Sequence, residues 1–209
     1  MLAFMMPDSL TQLHHSIWRE LAEAVTADGH PFRFAAFSTI SSGRSGADEP
    51  SSPDVRMVVL RAVDIGRREL SCYSDVRAAK VTQLRHFERA AWLFYDPTRL
   101  VQIRAFGGAV IETGGEIVDA AWEAVDGLSV MNYASASAPG ELIASPGGVS
   151  GLARTAAHLA VDRESARRNF AVIRTTIDEM DWLQLGLTGH RRARLTYTAS
   201  DTSGHWVQP

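Results

Sequence analysis

The order of its β-type runs constrains this chain more than any other feature. Phe32–Ile40, Arg56–Val63, Glu69–Tyr73, Ala91–Tyr95 and Leu100–Ile111 are short runs rich in β-branched and aromatic residues. Asp64–Arg67 is a turn between two of them, and Asp96-Pro97 joins two more. Strands that follow one another through short turns pair antiparallel, because a parallel neighbour needs a long crossover. The expected fold class is therefore α+β, mainly antiparallel β: a barrel with peripheral helices rather than a doubly wound parallel sheet. No Gly-x-Gly-x-x-Gly follows a strand and no phosphate loop ends in Gly-Lys-Ser/Thr, which argues against nucleotide binding by those routes.

Helices are expected around the strands. Leu10, Leu13, Ile17, Leu21 and Val25 recur at helical spacing, with Ser9 as N-cap and Gly29 as a stop. This amphipathic helix reads as a cover for an open barrel end or for a partner chain. Asp75–Arg89, Glu116–Asn132 and Asp162–Met180 are read as further helices, the second with a Val118, Trp122, Val125, Leu128 stripe. Ser41–Pro53 is read as a mobile loop and Ala134–Leu152 as irregular, from their Ser, Gly, Ala and Pro content. Trp182–Leu187, Ala193–Thr198 and Gly204–Val207 are read as short strands. The whole is expected to be one domain: an N-terminal helix (1–29), a barrel core (30–115), a helical insert (116–180) and C-terminal strands (181–209).

Composition narrows the function classes. Net charge is −3 with no basic run, so no nucleic-acid surface is indicated. The single cysteine, Cys72, excludes an internal disulfide and fits a reducing compartment. Met1–Met6 is apolar but is soon followed by histidines and charges, so neither a signal peptide nor a membrane span is read, and a cytoplasmic location is expected. The histidines are scattered and no metal site is indicated.

One segment has the chemistry of a specific ligand. Arg56-Met57-Val58-Val59-Leu60-Arg61 is followed by Tyr73-Ser74, then Lys80, then Gln102. Fixed cations, a short hydroxyl and an amide are what a phosphate ester on an aromatic heterocycle would use. In this order the residues resemble the FMN-binding pyridoxamine 5'-phosphate oxidase-like family. The likeness spans roughly residues 30–209, with Trp182, His190 and Arg192 at the family's spacings and a Trp-x-x-Pro from Trp206 to Pro209. It implies a split β-barrel, usually a homodimer with FMN at the interface. It also implies cofactor contacts from Arg56, Met57, Val58, Arg61, Tyr73, Ser74, Lys80, Gln102, Trp182 and Arg192, and a catalytic proton carrier at His190.

The residues can also be read without the family. Arg56 offers a fork of donors that matches phosphate oxygens, or it is an exposed strand-edge arginine. Arg61 is at an odd spacing from Arg56, so a regular strand sends the two side chains to opposite faces. Ser74 or Asp75 reads as a helix cap, with Lys80 about one turn into the helix. Gln102 is an amide among apolar strand residues and needs partners if buried. Trp182 packs on the flavin, across an interface or in the core.

Three departures from the family concern affinity and substrate. Ala78-Ala79 stands where the family has Ser-Arg, removing two polar contacts to phosphate. Thr188 stands at the family's substrate Arg, although His190 is kept, and no Lys or Arg lies between Arg104 and Arg154, where a substrate-phosphate Arg falls. The expectation is an FMN-dependent oxidoreductase acting on a small molecule other than a vitamin B6 phosphate. Alternatives are a non-catalytic flavin store or sensor, and a true pyridoxamine or pyridoxine 5'-phosphate oxidase.

Overall fold

The computed structural model describes residues 9–42, 51–144, 163–187 and 189–209. Helix α1 (Leu10–Thr26) opens with the Ser9 side chain accepting the Gln12 N–H at 3.2 Å, the N-cap bond expected from sequence. Its stripe of Leu13, Ile17 and Leu21 is buried with Trp18 in the main core. Gly29 follows with φ +71°, a backbone state that only glycine adopts without strain.

The strands are β1 (Phe34–Ser41), β2 (Ser52–Val59), β3 (Ala62–Asp64), β4 (Glu69–Asp75), β5 (Arg89–Asp96), β6 (Val101–Glu112), β7 (Phe170–Gln184), β8 (Arg191–Tyr197) and β9 (Thr202–Val207). They form one antiparallel sheet in the order β2-β1-β5-β6-β7-β4-β3, with β8 and β9 continuing from one half of β7. The ladder does not close. The chain itself bridges the split: the Leu60 N–H donates to Arg33 O at 2.9 Å and the Arg61 N–H donates to Ser71 O at 2.8 Å. Residues 60 and 61 thus leave one edge of the sheet and join the other.

Strand β7 corrects the sequence reading. Asp162–Met180 was expected as a helix, but only Arg163–Arg167 is helical, and Phe170–Gln184 is the longest strand of the sheet. Its first half pairs with β4, its second half with β8, and β6 runs beside both. Pairing along both edges outweighs helix propensity here. The β6–β7 register shifts between Phe106 and Gly107. A Cβ on Gly107 would lie 2.0 Å from Thr176 O, so this close approach requires glycine.

Helix α2 (Ala79–His86) is shorter than the expected 75–89. Ser74 and Asp75 belong to β4 and do not cap it; Ala78 is the N-cap residue, without a side-chain bond. Asp75 instead ties the intervening turn by accepting from the Arg77 N–H at 2.8 Å and from its guanidinium at 2.6 Å. Helices α3 (Glu116–Glu123), α4 (Gly127–Ala134) and α5 (Arg163–Arg167) cover the outer face of β4 and β7. There Val118, Trp122, Val125 and Val130 pack on Phe170 and Val172 in a second apolar cluster. Most of the expected 41–53 loop, the 145–152 stretch and Thr188 lie outside the described residues, as does the side chain of Leu128.

Candidate functional site

A cavity of about 300 Å³ opens where β2, β4 and α2 meet. Phe34, Met57, Val58, Val59, Arg61, Tyr73, Lys80 and Tyr133 line it. Five of the ten expected cofactor contacts are therefore together: Met57, Val58, Arg61, Tyr73 and Lys80. The β1–β2 register explains one wall, since Phe34 faces Val59 and Met57 lies two residues along the same side.

Lys80 marks the polar end. Its ammonium donates to Ser74 Oγ at 3.1 Å, and burial pushes its pKa below the ordinary lysine value, with nearby Arg56 lowering it further. Ser74 is buried on β4, so it joins the site as a strand hydroxyl. Arg56 approaches from the inner face of β2. Its guanidinium donates to Thr39 Oγ1 at 2.6 Å and Gln83 Oε1 at 3.1 Å, and pairs with Asp54 at 2.5 Å. Gln83 of α2 in turn donates to Asp54 at 2.8 Å. That hydrogen bond, then Arg56, holds the Asp54 carboxyl below the usual carboxylate range despite partial burial. Arg56 thus fastens α2 to β2 one turn from Lys80.

Arg61 has the opposite role. Its guanidinium lines the cavity and stands 5.3 Å from the Tyr73 ring centroid. The odd spacing does separate the two arginines. Tyr133 comes from α4 and was not found from sequence; it stacks edge-on against Phe170 at 5.1 Å, which in turn meets Tyr73 at 5.0 Å. Burial raises the Tyr133 phenol to about 12, so it stays protonated and can donate at neutral pH. Phe34 and Val59 were also missed, because only strand pairing places them here.

The remaining expected residues form a second group on β6, β7 and β8, away from this cavity. Gln102 faces Leu183, which faces Arg192, so the three form a row across the sheet. Beside it lies Asp181, 1% exposed, accepting from Arg104 at 2.7 Å, Arg192 at 2.8 Å and Arg194 at 3.3 Å. Burial alone would raise its carboxyl pKa; the bonds from Arg192 and Arg104 overcome that and hold it low. Trp182 points the other way, buried and edge-on to Trp206 at 6.4 Å. Within one chain it is a core residue. His190 is exposed and its Nδ1 accepts the Gly186 N–H at 3.3 Å.

Between the two groups the outer face of the sheet is apolar and bare. Phe34 is 56% and Met57 64% exposed, with Val55, Leu93 and Tyr95 beside them. Among the described residues no cluster of three or more metal-ligating side chains occurs, and no helix is long and apolar enough to cross a membrane.

Comparison with known proteins follows the same lines. Residues 15–113 match the family model described as pyridoxamine 5'-phosphate oxidase, FMN-binding domain. Among solved structures, PhzG from Burkholderia lata 383, in complex with tetrahydrophenazine-1-carboxylic acid, superposes with a TM-score of 0.70 at 21% identity, covering 99% of this chain and 98% of that one. A pyridoxamine 5'-phosphate oxidase-related, FMN-binding protein from Nostoc punctiforme PCC 73102 gives 0.68 at 15% identity, covering 98% and 100%. No curated protein sequence matches.

Proposed function

We propose, from the premise that residues 15–113 match the FMN-binding domain of the pyridoxamine 5'-phosphate oxidase family and that the fold is the one its relatives share, that this chain binds FMN in the Lys80 cavity and is an FMN-dependent oxidoreductase. The observation that carries the reading is the make-up of that cavity. One end offers Lys80 and Ser74, with Arg56 close enough to shift the lysine. The other offers Phe34, Met57, Val59 and Tyr73. A cation at one end and flat apolar walls at the other fit a phosphate tethered to an aromatic ring system.

Bound FMN would accept and return the hydride. The chain's own task is to orient and to dry the site. Lys80 and Ser74 hold the phosphate, and Arg56 keeps α2 and hence Lys80 in place. Arg61 and Tyr133 face the remaining space, where Tyr133 can donate a hydrogen bond to a substrate oxygen or nitrogen. Among the described residues Arg61 has no ion-pair partner, which leaves one cation for the substrate. A dianionic phosphate would want more. The substrate of this reading is a small monoanionic or neutral molecule, and the carboxylic acid seen with PhzG supports that class.

The bare apolar face and the Gln102–Leu183–Arg192 row support a homodimer in which a second copy supplies that row to the cavity. The exposed His190 would act at the same interface while Trp182 supports it from the core, in a cytoplasmic protein. Ala78, whose buried methyl offers no polar group, favours a second reading as a non-catalytic flavin binder with weakened phosphate contacts.

The test is the absorbance spectrum of freshly purified protein, with mass analysis of the acid-released ligand and light scattering for the oligomer. FMN at about one per chain, lost in the Arg56→Ala/Lys80→Ala double variant that still folds, is the expected result. Full flavin occupancy in that variant would sink the site. Turnover with a reductant and an acceptor separates the enzyme from the store.

A further inference from the structure

A second cavity, of about 270 Å³, shares no lining residue with the first and lies between the first turns of α1 and the β8–β9 hairpin. Helix α1 contributes Thr11, His14 and His15, and β9 contributes Thr202 and Ser203; Leu10 and Leu195 close its apolar side. None of these residues belongs to the flavin reading. Gly204 is closely packed there: a Cβ on it would lie 2.6 Å from Leu195 Cδ2 and 3.0 Å from Arg194 O.

Its polar wall is held in place. His14 Nδ1 is 3.3 Å from the Tyr197 hydroxyl, which also accepts from Trp18 Nε1–H at 3.3 Å and lies 3.5 Å from Met180 Sδ. Trp18 occupies one lone pair of that oxygen. If the hydroxyl proton goes to Met180, His14 donates through Nδ1 and leaves Nε2 free. The His15 ring is tilted beside it, with centroids 5.3 Å apart. On the far side of Tyr197 stands Arg68, its guanidinium 5.3 Å from the ring centroid. Arg68 donates to Thr198 O at 2.7 Å, while its Nε is buried without a partner. The wall therefore gathers two imidazoles, three hydroxyls and a nearby guanidinium, and the lining has no carboxylate among the described residues.

We propose that this cavity is a second binding site, for a small oxyanion carried on a short apolar body. Imidazoles and hydroxyls donate to the oxyanion, and Leu10 and Leu195 receive the body. In the free protein, burial, then His15 and Arg68, hold the His14 pKa below the ordinary histidine value. An anion opposes both charge effects, so binding takes up protons and strengthens as pH falls. The groups that face His14 are His15 on its own helix, Tyr197 on β8 and Arg68 from the β3–β4 turn.

Inorganic phosphate and benzoate are the probes, titrated separately into full-length protein while the His14 and His15 ring resonances are followed by NMR. Saturable shifts of both resonances, with a rising apparent pKa for His14, are expected for at least one probe; benzoate alone would show that the apolar side matters. Thr202→Val/Ser203→Ala is expected to weaken binding about tenfold without changing melting temperature or flavin content, and His15→Gln to weaken binding as well. No shift of these resonances by either probe at millimolar concentration overturns the proposal. So does binding that the hydroxyl variant leaves unchanged.

Discussion

Replacing Asp181 by asparagine tests the electrostatics of the β6–β7–β8 face. Asp181 points outward but is covered by its own partners, Arg104, Arg192 and Arg194, and is 1% exposed. Asparagine keeps the shape and removes the one negative charge among three positive ones. Breaking a fully buried pair costs roughly 3–5 kcal/mol. The arginines here are partly solvated, with Arg194 more than half exposed, so screening reduces this to about 2–3 kcal/mol. The pH dependence is the sharper test. The folded carboxyl titrates below its ordinary value, so its contribution is fully present above the unfolded carboxyl range and is lost as pH falls through the folded pKa. Urea unfolding of both proteins should give a gap of about 2–3 kcal/mol near neutrality that narrows toward acid pH. An equal gap at every pH, or none at neutrality, would refute the reasoning, since asparagine cannot titrate.

Four further outcomes follow from packing and strand parity. Leu21→Ala empties a fully buried site under α1 and should cost about 2–5 kcal/mol in denaturant unfolding. Gly107→Ala drives a methyl into Thr176 O, and a loss of roughly 1–3 kcal/mol or more is expected from thermal melts, with failure to fold as the extreme. Arg61→Ala should leave flavin content near that of the parent and weaken substrate binding, read as raised KM. Arg56→Ala should do the reverse, lowering flavin content through a loosened α2.

Helix α1 was legible because one amphipathic stripe, one cap and one stop agree with its tertiary role. The β3–β4 hairpin was legible for the same reason, as Asp64 Oδ1 accepts the Arg67 N–H inside the turn at 2.9 Å. Strand β7 was not. Phe170–Ile173 is buried on both faces, the barrel on one side and α3, α4 and α5 on the other, so the alternation that marks a half-exposed strand is absent. Its β-branched run, Val172-Ile173 and Thr175-Thr176-Ile177, was the available signal. At the cavity, the local motif named Lys80, Arg61 and Tyr73, which line it. Tyr133 arrives only through its packing on Phe170, and Phe34 only through its register with Val59. Neither position has a neighbour in sequence that announces it.

The two arginines of β2 and its extension show how one strand can divide two tasks. Arg56 shares the inner face with Val58 and Leu60, both buried, so its guanidinium is drawn into the barrel mouth and meets Asp54, Thr39 and Gln83. Arg61 lies past the point where the chain changes edge, and it faces out over Tyr73. Had the spacing been even, both cations would have crowded one side and repelled one another in a partly buried space. With the odd spacing, the inner cation is paired with Asp54 and ties α2, and the outer one lines the cavity. Lys80, on α2, lines the same cavity as the outer arginine, and the position of its ammonium depends on the inner network that holds the helix. The split in the sheet at residues 60 and 61 is thus the feature that builds the cavity: it turns a single strand into one wall of the core and one wall of the site.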